Sequence, residues 1–107
     1  MAWVTLCESD ELVEGEGKYV EIDGFHLAVF LDGDEPAVID DRCPHAGGSL
    51  SGGVVMNRCA ICPWHGWAFA LRDGTLQGAP QISVTRYPTR FYQSSGKRFV
   101  QADLPMP

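Results

Sequence analysis

A chain of 107 residues, 45% of them apolar, has room for one domain with a modest core that needs no cross-links. Its formal net charge of −6 argues against nucleic acid or an anionic membrane surface as a partner. No apolar run approaches the roughly 18 residues of a membrane-crossing helix, and the first residues lack the basic and then long apolar pattern of a secretory leader, so the expected compartment is the cytoplasm. There the four cysteines are expected to be metal ligands or plain thiols rather than disulfides.

In chain order, Ser9 or Asp10 can cap a short helical turn that Gly15 and Gly17 stop. Residues 19–22 alternate, Asp23-Gly24 marks a hairpin turn, and residues 26–31 form the return strand. A turn at 32–34 and a strand at 36–40 complete a meander of at least three strands. From Cys43 to Pro80 glycines crowd in, with short strands expected at 54–57 and 67–70 and a turn at 72–75. Alternation resumes over 82–87 and 90–93, a turn falls at 94–97, and residues 98–101 close the fold. The tail from Leu104 is expected to fray. There is no helical period and no internal repeat. The expectation is one β domain over residues 1–107 with a loop-rich insert at about 41–80. Twelve of the fourteen acidic residues precede Arg42, an asymmetry that serves solubility or steers a charged partner.

Two clusters stand out, Cys43-Pro44-His45 and Cys62-Pro63-Trp64-His65, with sixteen residues between them. Each joins a thiolate source to an imidazole and carries a proline that stiffens its loop. Such donors select transition metals over calcium or magnesium. Zinc accepts this set, although zinc fingers group their cysteines together and their histidines together. Here each loop supplies one of each, so a diiron centre could take both cysteines on one iron and both histidines on the other. Cys59 makes a C-x-x-C with Cys62, but no helix pattern follows it, and a plain thiol at a strand end is expected. Cys7 reads as core or surface, and His26 as a strand residue with no ligand role. Phe25, Phe30, Tyr87, Phe91, Tyr92 and Phe99 read as core or sheet faces.

The C-x-H and C-x-x-H pair, followed by Gly66-Trp67-Ala68-Phe69, resembles the Rieske iron–sulfur domain. As a single short domain the chain is similar to the Rieske ferredoxins that feed oxygenases. Residues 43–53 also resemble the nitrite reductase small-subunit family. The resemblance implies an antiparallel β-sandwich or double barrel and one [2Fe–2S] cluster held by Cys43, His45, Cys62 and His65. With neutral imidazoles the oxidised cluster has no net charge, so its potential falls in the range of roughly −150 to +300 mV. High-potential members carry a second cysteine pair and hydroxyl donors near the sulfurs. The matching positions here are Gly48 and Trp64, and Trp67 and Phe69, which implies the low end of that range. Leu50, Trp64 and Pro80 would shield the cluster, and residues 78–80 resemble the loop that covers it. The implied role is a monomeric one-electron carrier between a flavoprotein reductase and a terminal oxygenase. The alternatives are an accessory subunit of a nitrite-reductase-like complex and a structural zinc module. Catalysis is not expected, because only His26 remains for the two histidines that a mononuclear iron site would need.

Overall fold

The computed structural model of the chain describes residues 2–44 and 47–106. Among these residues twelve strands follow one another: β1 (Ala2–Glu8), β2 (Lys18–Ile22), β3 (Phe25–Asp32), β4 (Glu35–Asp40), β5 (Val55–Met56), β6 (Cys59–Ile61), β7 (Ala68–Ala70), β8 (Thr75–Leu76), β9 (Ala79–Ser83), β10 (Arg86–Tyr87), β11 (Thr89–Ser94) and β12 (Lys97–Leu104). Two single turns of 3₁₀ helix lie at Ser9–Glu11 and Leu50–Gly52. Among the described residues no helix is long and apolar enough to cross a membrane.

The strands form three antiparallel sheets, ordered β1-β12-β11, β10-β4-β3-β2 and β5-β6-β7-β8-β9. The second of these is the middle layer, and the sequence of β3 explains why. Leu27, Ala28, Val29 and Phe30 are all fully buried. Leu27 and Val29 enter one core with Val38, Val100 and Leu104, while Ala28 and Phe30 enter a second core with Ile39, Leu50, Phe69 and Leu71. Successive side chains of a strand point to opposite faces, so an uninterrupted apolar run fits a sheet covered on both sides. Each large side chain so buried contributes about 1.5–3 kcal/mol.

The expected meander is present as β2, β3 and β4. Its first turn holds Asp23 at φ 49° and Gly24 at φ 84°, the pair of positive values that two-residue hairpins favour. Other expectations need correction. The first residues form β1, which pairs along β12 and was not foreseen. Leu104 is the partner of Ala2 and fully buried, so the chain is anchored there rather than frayed. The turn at Ser9–Glu11 is capped by Glu8, whose N–H donates to Glu11 Oε2 at 2.7 Å, and not by Ser9 or Asp10. The run expected as one strand over 82–87 is split between β9 and β10, which belong to different sheets.

β4 and β10 are neighbours in the middle sheet, so residues 41–85 make an excursion that leaves it and returns. Arg86 fixes the return, donating from Nε to the Leu71 carbonyl (3.2 Å) and from Nη1 to the Tyr87 carbonyl (2.7 Å). The acidic first part of the chain and the basic remainder interleave. Arg58 pairs with Asp32 at 2.6 Å, and Lys97 with Glu8 at 3.2 Å.

Candidate metal centre

The two cysteine loops are copies of one turn. The Gly47 N–H donates to the Cys43 carbonyl (2.8 Å) and the Cys43 N–H to the Gly48 carbonyl (2.8 Å). In the second loop the Gly66 N–H donates to the Cys62 carbonyl (2.9 Å) and the Cys62 N–H to the Trp67 carbonyl (2.8 Å). Gly47 and Gly66 close the two turns at φ 73° and 71°, a region that favours glycine. Cys43 and Cys62 therefore occupy the same place in two equivalent loops. The signal was in the sequence: Cys-Pro-x-x-Gly occurs at 43–47 and again at 62–66, a short repeat that the reading of the chain as repeat-free missed. His65 is the fourth residue of its copy, whereas His45 is the third.

Both cysteines are 1% exposed and belong to the core that holds Leu50, Phe69 and Leu71. Pro44, Pro63, Trp64 and His65 are exposed. The loops thus turn their thiols inward to a dry, apolar floor and present His65 to solvent. His45, the remaining member of the expected set, lies outside the described residues.

The loops meet at Gly48. A methyl group there would stand 3.2 Å from Cys62 Sγ and 3.2 Å from Trp64 Cγ, a tight contact, so the absence of a side chain at Gly48 lets the first loop lie close against the second. Trp64 covers this contact while remaining 63% exposed. Leu50, also expected as a shield, is wholly buried beside the cysteines in the shared core. Pro80 is exposed and lines a concavity of about 480 Å³ with Cys59, Ala70 and Gln77.

Two supports escaped the sequence reading. Asp41, buried just before Arg42, accepts from the Ser51 N–H and from Ser49 Oγ, each at 2.8 Å. Its own carbonyl accepts from the Leu50 N–H at 2.6 Å. A single carboxylate thereby clamps the neck of the first loop. Gly53 does the same for the second by close approach, since its Cα passes directly over the Ile61 carbonyl. Spacing alone reveals neither, because each contact joins residues that only the fold brings together.

The remaining candidates fall away from the loops. Cys59 starts β6, opposite Ala70, outside the core that contains Cys43 and Cys62. Its sulfur accepts from Gln77 Nε2 at 3.3 Å. Cys59→Ser is accordingly expected to leave the metal content unchanged when metal is quantified per chain. Cys7 lies in the other core, where burial and the Glu11 carboxylate push its thiol up to about 11. It lies apart from the two cysteine loops. His26 Nδ1 is 2.5 Å from the Tyr19 hydroxyl, a pairing within the β2–β3 hairpin.

The donor chemistry fits a diiron centre. Each loop brings one buried thiol, and the second adds an exposed imidazole. A tetrahedral zinc would draw Cys43, Cys62 and His65 to one point. A two-iron cluster divides them, with thiolates on one iron and imidazoles on the other.

Comparison with known proteins agrees. The sequence profile of the Rieske [2Fe-2S] domain matches residues 2–88. A cholesterol 7-desaturase of Hemicentrotus pulcherrimus is 35% identical over 97 residues, which are 89% of this chain and 18% of the desaturase. The chain therefore spans less than a fifth of that relative. A solved Mycobacterium tuberculosis protein described as an NADH-dependent nitrite reductase small subunit superposes with a TM-score of 0.83 at 31% identity, covering 98% of this chain and 97% of its own. The Sphingomonas yanoikuyae B1 ferredoxin superposes with a TM-score of 0.82 at 28% identity, covering 97% of this chain and all of its own (100%).

Proposed function

Because the chain belongs to the Rieske [2Fe–2S] domain family, we propose that Cys43, His45, Cys62 and His65 hold its one cluster and that the chain is a one-electron carrier between a flavoprotein reductase and a terminal oxygenase. The observation that carries this reading is the pair of equivalent turns that bury Cys43 and Cys62 to 1% exposure while His65 stays open to solvent. When bound, the cluster takes up and returns one electron at modest potential. The residues of the chain do the rest. Leu50, Phe69 and Leu71 keep water from the thiolates, Gly48 lets the loops close, and the exposed rim at Trp64 and His65 is where a partner approaches.

Whole-length likeness to a ferredoxin supports the shuttle, and equal likeness to a nitrite reductase small subunit supports a second reading, a stably bound accessory subunit. The desaturase relatives are enzymes by name. The matching stretch is a small part of their length, and this chain keeps only His26 beyond the four proposed ligands. The part assigned to it is electron supply, not substrate oxidation. The proposed setting is the cytoplasm, as a monomer, where thiolates stay reduced.

The experiment is electron relay in a defined mixture. NADH, a flavoprotein ferredoxin reductase and cytochrome c as final acceptor are combined with increasing amounts of the chain. Cytochrome reduction is expected to rise in proportion to the chain. Redox encounters bury little surface, so a shuttle should also separate from its reductase on gel filtration. A rate indifferent to the chain would oppose the carrier role, and a complex that survives high salt would favour the subunit.

A further inference from the structure

Arg42 directly precedes the first cysteine, and its backbone pairs with Ser49 across the neck of that loop. Its guanidinium lies over the closing glycine of the turn, with Nε and Nη2 each 3.4 Å from where a Gly47 side chain would begin. Together with Cys43, Pro44 and Gly47 it lines a concavity of about 560 Å³ that opens beside the loop. Asp40 borders the same concavity and keeps its charge while its Oδ1 accepts from the Tyr87 hydroxyl at 2.6 Å, and the buried Asp41 carboxylate is turned to Ser49 and Ser51. Among the described residues Arg42 makes no ion pair, unlike Arg58 and Arg72. An arginine keeps its charge at every working pH. A fixed cation therefore stands at the first loop of a chain whose net charge is −6.

We propose that Arg42 supplies a fixed cation at the mouth of the centre, which favours the reduced state and steers redox partners that present a carboxylate. This rests on the cluster assignment above, because the reduced cluster with two thiolates and two imidazoles carries one extra negative charge. A cation a few ångströms from its loop stabilises that charge, and the concavity beside it leaves room for a partner's acidic side chain. Steering of this kind acts on the association rate and fades with salt.

The test compares R42Q and R42K with the unaltered protein, using two small inorganic acceptors in place of a partner. Each takes one electron from the reduced protein: the anion ferricyanide becomes ferrocyanide, and the cation hexaammineruthenium(III) becomes the ruthenium(II) complex. At low ionic strength R42Q is expected to slow ferricyanide about threefold or more and to speed the ruthenium complex, with both differences vanishing in high salt. Its midpoint potential should fall by an amount equal to about a three- to tenfold change in the redox equilibrium, or about 30–60 mV for one electron. R42K, which keeps the charge but loses the planar group, should stay near the unaltered protein in both measurements. Unchanged potential or unchanged probe selectivity in an iron-replete R42Q overturns the proposal, as does R42K behaving like R42Q, since packing would then be the cause. An unaltered protein that binds no iron would overturn the cluster reading itself, and this inference with it.

Discussion

Cys62→Ser is expected to give a folded, colourless protein with less than about a tenth of the iron of the unaltered chain. The hydroxyl that replaces the thiol is a hard, poorly acidic donor where the site needs a soft thiolate. The fold should survive because the turn at Cys62 is held by backbone groups, the Trp67 carbonyl and the Gly66 N–H, which do not depend on the side chain. Its stability should drop by about 1–3 kcal/mol, the cost of placing a hydroxyl in a 1% exposed apolar position. Iron per chain, the visible spectrum and a urea titration measure all three. Full iron content in this variant would remove Cys62 from the ligand set. The contrast with Cys59→Ser, three residues away, similarly buried and expected to keep its iron, separates ligation from general damage.

Gly53→Ala should be among the most damaging single-methyl changes in the chain. Its φ of −91° is open to any residue, so backbone freedom is not the reason. The reason is space: the added carbon would fall 1.9 Å from the Ile61 carbonyl oxygen and 3.3 Å from Pro63 Cδ. Both neighbours flank Cys62, and a carbonyl in a three-stranded stretch of sheet cannot swing aside. The strand must shift and carry the second loop with it. A loss of about 3 kcal/mol or more is expected, at the upper end of overpacking costs. Gly52→Ala is the control, because a methyl there meets Ser49 Oγ at an ordinary 3.8 Å. It should change stability by about 0.5 kcal/mol or less. Urea midpoints for both variants check the difference, and equal midpoints would contradict the close approach at Gly53.

The middle sheet was legible because its signals are local. Asp23-Gly24 fixes one hairpin, and the continuous apolar run of β3 needs a cover on each face. β1 was not legible for an equally physical reason. Its register slips between Thr5 and Cys7, leaving Leu6 as an extra residue that breaks the alternation a strand normally shows. Missing β1 also made the end of the chain look loose, since Leu104 is anchored through its pairing with Ala2. β6 and β8 are strands of three and two residues in a glycine-rich stretch, where period-two patterning has too few residues to register.

The four candidate ligands could be read from chemistry alone, because two thiols and two imidazoles on proline-stiffened loops have few other uses. What holds those loops could not. The Asp41 clamp and the Gly48 contact join residues eight to sixteen positions apart that come together only after the sheets form. The equivalence of the two loops lay in between, since Cys-Pro-x-x-Gly is visible twice but means little until both turns close with the same hydrogen bonds.

The most direct measurement is pulsed EPR of the dithionite-reduced protein, with iron and acid-labile sulfide counted on the same sample. Two irons, two sulfides and magnetic coupling to a pair of imidazole nitrogens are the outcome that sulfur ligation from Cys43 and Cys62 and nitrogen ligation from His45 and His65 requires. A paramagnetic cluster with no nitrogen coupling, or a colourless protein holding a single zinc, would contradict it.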